Sequence, residues 1–199
     1  MEPLPLNAKL TEYALDLTFT SAALRAGGHA ELAGSVDKAL AEISAQVEED
    51  ARLTERATVA QAELAGKDAA LDELYKQASN TLREKHPSEY GRFFPKPVAR
   101  VAEGDLTEEI DAVRALVAEL VTLDAGDALR TELRPRLERA LADVEAALRA
   151  RDAVLQEIAP ARSALEDVRA KANDVRAELH AKLADATHDK KTPDKFFRR

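Results

Sequence analysis

The chain has 199 residues, and its 29 basic and 37 acidic side chains give a formal net charge of −8. It contains no Cys, which excludes a disulfide framework, a thiolate metal site and a cysteine nucleophile. Of its 90 apolar residues 40 are Ala, 26 are Leu and only 15 are Val or Ile, and this composition favours long helices over a β-sheet. The excess of acidic residues argues against a broad surface that binds nucleic acid.

The first predicted element is a short helix near the N-terminus. Pro3 and Pro5 keep the first residues out of a helix, which is expected to run from near Thr11 to a break at Gly27 and Gly28. The opening residues lack the charged and apolar regions of a secretory signal, and no apolar run is long enough to span a membrane. We therefore expect a cytoplasmic protein without a transmembrane segment.

A long helical stretch follows in each half of the sequence. Apolar residues recur at spacings of 4, 3 and 4 from Val36 to Val47, and the same spacing starts again at Leu137. This period places the apolar residues in one stripe on a helix. The regular spacing of apolar residues is interrupted after Val47. The chain could therefore turn near residues 48–52, or at residues 66–68, where the signal for a helix break is weaker. The absence of Gly, Pro and Asn from the first of these sites favours a continuous helix there.

The longest predicted non-helical stretch joins the two halves. It is marked by five prolines and glycines, Pro87, Gly91, Pro95, Pro97 and Gly104. After it, Asp105 is predicted to cap a helix, with Glu108 reaching back to complete a capping box. A turn at residues 124–127 ends that helix, and Pro160 predicts either the start of a further helix or a kink.

The two halves of the sequence resemble each other. The segment KALAEISAQV, residues 38–47, matches RALADVEAAL, residues 139–148, at an offset of 101. The ends also match, because GRFF at residues 91–94 is echoed by DKFF at residues 194–197. The sequence therefore predicts two similar helical-hairpin repeats, residues 8–97 and 105–199, packed into one bundle.

The predicted fold is all-α, an elongated antiparallel helical bundle of the coiled-coil type. Ala at many stripe positions allows close helix approach but buries little apolar surface, so the core is expected to be thin and long. Such a core leaves surface for another helix to join. This favours a homodimer or a helical protein partner.

No motif in the sequence indicates a metal or catalytic site. Di-iron bundles need Glu-x-x-His pairs, and only Asp185-Ala-Thr-His188 comes close, without a second copy. The four His are therefore interpreted as solvated surface residues. The glycines are too scattered for a phosphate-binding loop, and no strand-turn-helix elbow presents a serine. We predict no catalytic residues, no metal and no cofactor.

The two Phe-Phe segments are the candidate contact sites. Residues 83–100 and 189–199 each carry five basic and two acidic side chains, whereas the rest of the chain is strongly acidic. Three alternatives stay open: the segments pack on their own chain, dock on a partner or second copy through Phe anchors with Arg at the rim, or touch an anionic membrane or nucleic acid. For docking, the predicted contact residues are Tyr90, Arg92, Phe93, Phe94, Lys195, Phe196, Phe197 and Arg198.

These features favour a non-catalytic scaffold or adaptor that acts through protein–protein contacts. Nucleic acid and a membrane surface are the less favoured partners, because two clusters of five cations attract a polyanion or an anionic membrane only weakly. The alternative function is a helical-bundle enzyme, or a binder of a small molecule or metal, with a pocket between helices. A pocket lined by convergent polar groups would distinguish this alternative from a scaffold.

Overall fold

The computed structural model describes residue 4 and residues 9–102, 104–187 and 192–197, and every regular element in those ranges is helical. The helices are α1 (Leu10–Ala26), α2 (Ala30–Lys85), α3 (Tyr90–Phe93), α4 (Val98–Ala102), α5 (Leu106–Leu120) and α6 (Arg134–Thr187). A π-helical turn, Leu129–Leu133, leads directly into α6, and a 3-10 turn, Pro193–Phe196, follows that helix. The prediction of an all-α helical bundle is confirmed.

The helix ends follow the local signals in the sequence. α1 stops at the predicted glycines, where Gly28 has a φ of 83° and the His29 N–H donates to the Leu24 carbonyl at 2.8 Å. At the start of α5 the Asp105 side chain accepts a bond from the Thr107 N–H, as expected of an N-cap. The second half of the predicted capping box is wrong, because the Glu108 carboxylate pairs with Lys96 instead.

Both long helices are continuous. α2 runs without a turn through residues 48–52 and 66–68, because a single glycine at position 66 costs only about 1 kcal/mol of helix propensity. α6 continues through Pro160, so no new helix starts there. Neither local breaker therefore ends its helix.

Packing divides the chain into two compact units. Unit 1 comprises Met1–Glu55 and Leu155–Arg199, and unit 2 comprises Arg56–Val154. Each unit contains one part of α2 and one part of α6, and these two helices pack against each other. The short helix α1 lies in unit 1, and the short helices α3, α4 and α5 lie in unit 2.

The core of unit 1 forms where α1, α2, α6 and the 3-10 turn meet. α1 is held to α2 through Asp37, which accepts a bond from Ser21 at 2.6 Å and pairs with Arg25. The 3-10 turn packs on α1. The buried apolar residues are Leu10, Tyr13, Leu17, Leu24, Ala33, Val36, Ala39, Ile43, Ala172, Leu179, Leu183 and Phe197.

Unit 1 also buries an ion pair. Arg176 of α6 and Asp16 of α1 meet at 2.7 Å between Nε and Oδ2, with 2% and 3% of their side chains exposed. Asn173, one turn before Arg176, donates to the Tyr13 hydroxyl at 3.2 Å and to the Leu4 carbonyl at 3.0 Å. This polar network fixes α1 against α6, because charges this deeply buried are tolerated only when they are paired.

The core of unit 2 is larger. α3 and α4 both pack on α5, and the apolar stripes of α2 and α6 complete the cluster. Its buried residues are Leu64, Leu71, Tyr75, Ala78, Leu82, Phe93, Phe94, Val101, Ile110, Val113, Leu116, Leu120, Leu123, Leu129, Leu133, Leu137, Leu141 and Val144.

The order of elements is similar in the two sequence halves. In each half a short helix precedes a helix of more than fifty residues, and a Phe-Phe segment follows. Residues 8–97 and 105–199 each contribute to both compact units, so the units do not coincide with the predicted repeats. The duplication itself stays a prediction.

Candidate functional site

The first Phe-Phe segment packs into unit 2. Phe93 and Phe94 are 3% and 5% exposed. The Phe94 ring stacks on Tyr90 and is tilted against Tyr75, with both centroid distances at 5.1 Å. The Tyr90 hydroxyl is hydrogen bonded to Ser79 at 2.7 Å, which ties α3 back to α2.

The cations beside this segment are engaged with neighbouring acids. Arg92 is exposed, yet its guanidinium pairs with Glu119 at 2.7 Å and donates to the Thr122 hydroxyl at 2.8 Å. The Lys96 ammonium pairs with Glu108 of α5, an interaction that holds the pKa of that carboxyl below its usual range. These contacts attach the exposed edge of the first Phe-Phe segment to α5.

The second Phe-Phe segment packs into unit 1. Phe197 is 5% exposed and lies against His180, with ring centroids 5.8 Å apart. Phe196 is half-buried and meets His29 edge-on at 5.5 Å. Its ring covers Gly27 so closely that a Cβ added there would lie 2.7 Å from the ring.

The structure thus places the predicted contact residues in three environments. Phe93, Phe94 and Phe197 are buried in the core of their own chain, which is the first of the three alternatives for these segments. Arg92 and Lys195 are exposed, and Tyr90 and Phe196 are half-buried. Arg198 lies outside the described residues. Contact of these residues with a partner stays a prediction, and the three buried rings could join it only by leaving the core.

The three described histidines differ from the expectation of solvated surface residues, and His29 is half-buried against Phe196. His86 and His180 were predicted to be solvated, but 23% and 25% of their side chains are exposed, and each faces a carboxylate. His86 is 2.8 Å from Asp127, and His180 is 3.1 Å from Asp194, a hydrogen bond that lowers the pKa of Asp194. The first pair ties the end of α2 to the turn before α6, and the second ties α6 to the 3-10 turn that follows it. His188 lies outside the described residues.

The outer face of α1 is the surface that sequence reasoning missed. Leu15 and Phe19, four residues apart and therefore neighbours on the helix, are 57% and 45% exposed. The exposed residues beside them are Thr11, Glu12, Thr18 and Ala22, and we call the five uncharged residues of this set the outer face of α1. In a chain with 33% charged residues, the charged residue next to this face at its N-terminal edge is Glu12. The buried side of α1 includes the polar residues Asp16, Thr20 and Ser21, so its sequence lacks the two-sided pattern that marks an ordinary surface helix.

Unit 2 contains a cavity of about 510 Å³. It lies between α5 and the segment that includes α3 and α4, and Tyr75 of α2 also lines it. Its walls are apolar and aromatic, whereas Lys96, Asp105, Glu108 and Asp111 place charges around it. A cavity of this size is within the range of small-molecule sites.

Three carboxyl groups meet between α2 and α5. Glu109, only 4% exposed, lies close to Asp68 and Asp72, and each of the three has a buried oxygen with no hydrogen-bond partner in the described chain. Carboxylates only accept, so one proton must be shared for these contacts to form. Burial and the two neighbouring acids raise the pKa of Glu109 to about 8.

Glu109 is expected to make the stability of unit 2 depend on pH. Its pKa rises from 4.5 to about 8 on folding, so the unfolded chain releases the proton first as the pH increases. The free energy of unfolding should therefore fall between these two pH values. Glu109→Gln, which stays neutral and can donate to Asp68 or Asp72, should raise Tm at pH 8 by several degrees and leave Tm at pH 5 nearly unchanged.

The matched control for that prediction is Glu108→Gln, one residue away and facing Lys96 at the surface. Thermal melts followed by circular dichroism at several pH values would compare the two variants. Equal effects of both substitutions on the slope of Tm against pH would contradict the assignment of the proton to Glu109.

Comparisons of the chain with protein-family models, with curated proteins and with solved structures found no match. None of the helices in the described ranges combines the length and the apolar character that a membrane span requires. The same part of the chain holds no group of three or more His, Asp or Glu side chains arranged to bind a metal ion.

Proposed function

We propose that this protein is a cytoplasmic, non-catalytic helical scaffold that acts through protein–protein contacts, with the outer face of α1 as its main contact surface. The supporting observation is the exposed, uncharged pair Leu15 and Phe19 on that helix. Isolated exposed apolar residues are common, but a contiguous apolar patch is typical of an interaction site.

The partner in this proposal is a second copy of the chain. Two copies that each carry a net charge of −8 repel one another, so they associate best through surfaces that lack charge. Two α1 helices related by a two-fold axis would bring Phe19 of each copy against Leu15 of the other. Aromatic and Leu side chains would then form the centre of the interface, and Glu12 and Arg25 would lie at its rim.

The Phe-Phe segments have a supporting role in this proposal. Their buried rings hold the short helices in place, so that α1 presents a rigid surface. The exposed Arg92 and Lys195, with the half-buried Tyr90 and Phe196, are proposed as secondary contact points for the same kind of partner.

Sedimentation velocity over a range of protein concentrations tests this proposal. The wild-type chain should sediment as a dimer whose fraction rises with concentration, and Leu15→Glu should weaken the association at least about tenfold because it places a charge in the centre of the interface. The fold should be intact in this variant, since Leu15 is 57% exposed. Circular dichroism provides that check.

The matched control is Val59→Glu, which adds the same charge at a residue that is 51% exposed in a different helix. This variant should associate like the wild type. A wild-type chain that is monomeric at every concentration, or equal effects of the two substitutions, would refute the proposal.

A further inference from the structure

We infer that the cavity of unit 2 is a binding site for a small molecule that has an apolar body and a protonated amine. This site is independent of the scaffold role, because its residues lie on α2, α3, α5 and the segment from residue 93 to 101, and none is on α1.

The apolar body is indicated by the walls of the cavity. They are formed by Phe93, Pro95, Val101, Ala112, Ala115 and the ring of Tyr75. Ligand sites usually combine such a wall with a few polar groups, and a volume of about 510 Å³ accommodates a molecule of one or two rings. The favourable free energy of binding would come from apolar surface that is removed from water.

The positive charge is indicated by the balance of charges around the cavity. Asp105, Glu108 and Asp111 line it, against the single cation Lys96. Lys96 neutralises Glu108, and Asp111 pairs with Arg114 at 2.6 Å. Asp105 accepts only a long bond of 3.4 Å from the Thr107 N–H and forms no ion pair within the described ranges. It is therefore the carboxylate available to a ligand cation.

Tyr75 supplies a second polar feature. It is 3% exposed and lines the cavity. Burial, with Tyr90 and Glu109 nearby, raises its pKa to about 12, so the hydroxyl stays protonated. The face of its ring also attracts a cation. The hydroxyl can donate a hydrogen bond to a polar group of a ligand or accept one from an amine.

Other ligand classes fit less well. An anionic molecule would meet three carboxylates and one already neutralised ammonium. A pure hydrocarbon would fill the walls but would make no hydrogen bond with the Tyr75 hydroxyl and no ion pair with the Asp105 carboxylate. An apolar amine satisfies the walls and both polar groups.

Three probes of the same size test the charge preference, namely 1-naphthylmethylamine, neutral 1-naphthylmethanol and anionic 1-naphthoate. Titrations of the full chain followed by ¹H–¹⁵N NMR should show binding of the amine with a Kd of about 0.1–1 mM, as expected for a ligand with some twelve heavy atoms. The shifted amides should lie in residues 93–115 and around Tyr75. The alcohol should bind at least about tenfold more weakly than the amine, and the carboxylate should not bind.

Two variants locate the site. Asp105→Asn keeps a good N-cap but removes the charge, so it should reduce the affinity for the amine to that for the alcohol. Ala115→Trp, at an exposed wall position, should block all three probes. Asp143→Asn, an exposed acid that pairs with Lys67 outside the cavity, is the control and should bind the amine like the wild type.

The inference is overturned if the amine binds no better than 1-naphthoate, or if neither Asp105→Asn nor Ala115→Trp changes its affinity. Chemical shifts away from the substituted residue verify that each variant is folded. Loss of dimerisation in Leu15→Glu would have no bearing on these titrations, so the two proposals can fail separately.

Discussion

Phe94→Ala is expected to destabilise unit 2 by about 3–5 kcal/mol, the usual cost of removing a buried phenylalanine ring. The ring is 5% exposed and lies between Tyr90 and Tyr75, so its loss leaves a cavity beneath α3. Urea unfolding followed by circular dichroism at 222 nm would measure the effect. The midpoint of the transition should shift to clearly lower urea concentration.

Val59→Ala is the control for that experiment, because Val59 lies in unit 2 and outside the proposed interface. Val59 is 51% exposed, so truncation at this position should change the free energy of unfolding by less than about 0.5 kcal/mol. Phe94→Ala that unfolds like the wild type but no longer associates would contradict the structural role of this segment. It would support instead the alternative in which the Phe-Phe segments are partner anchors.

Arg176→Ala is the second substitution with a large expected effect. It leaves the Asp16 carboxylate, 3% exposed, without its guanidinium partner, and it removes the cation that lies 5.8 Å from the Phe197 ring. Breaking a buried pair by removing one partner costs about 3–5 kcal/mol. The loss should appear as cooperative unfolding of unit 1 at lower urea concentration.

Two further variants separate the buried charge from simple loss of packing. The double substitution of Asp16 by Leu and Arg176 by Met, which leaves no uncompensated charge, should recover most of the stability. Lys171→Ala breaks the exposed pair with Glu42, whose side chains are 67% and 56% exposed, and should cost at most about 0.5 kcal/mol. If Arg176→Ala proves as mild as Lys171→Ala, the pair does not hold α1 to α6.

The helical elements could be predicted because their signals are local. The 3-4 spacing from Val36 to Val47 identifies an apolar stripe wherever the partner helix lies. The stop at Gly27 and Gly28 and the cap at Asp105 depend only on the residues beside them. The path through Pro160 was harder to predict, because a proline can begin a helix, kink it or end it.

The environments of the polar residues could not be predicted in the same way. Arg176, Asp16 and Glu109 are charged residues in helices rich in charge, and the sequence does not distinguish them from their exposed neighbours. Their burial depends on which helices meet, and those contacts join positions as far apart as 160 residues. The contact of the second Phe-Phe segment with α1 is of the same kind.

The candidate surface and cavity were missed for a related reason. From the sequence alone, an apolar residue such as Leu15 is expected in the core. Only the position of α1 in unit 1 shows that it is exposed. The cavity depends on gaps between α3, α4 and α5 that no spacing of residues encodes. The two matching Phe-Phe segments can be recognised in the sequence, but the burial of their rings is seen only in the folded structure.

Disulfide cross-linking through α1 tests the central proposal, a dimer formed by the outer faces of two α1 helices, most directly. The chain has no Cys, so a single introduced thiol reports on one position. In the proposed arrangement the two-fold axis passes close to Thr18, and two thiols there come within the Cα separation that a disulfide needs. Thr18→Cys should form covalent dimers rapidly under mild oxidation, whereas the exposed control Val59→Cys should not. Equally slow cross-linking of both variants would contradict the proposal.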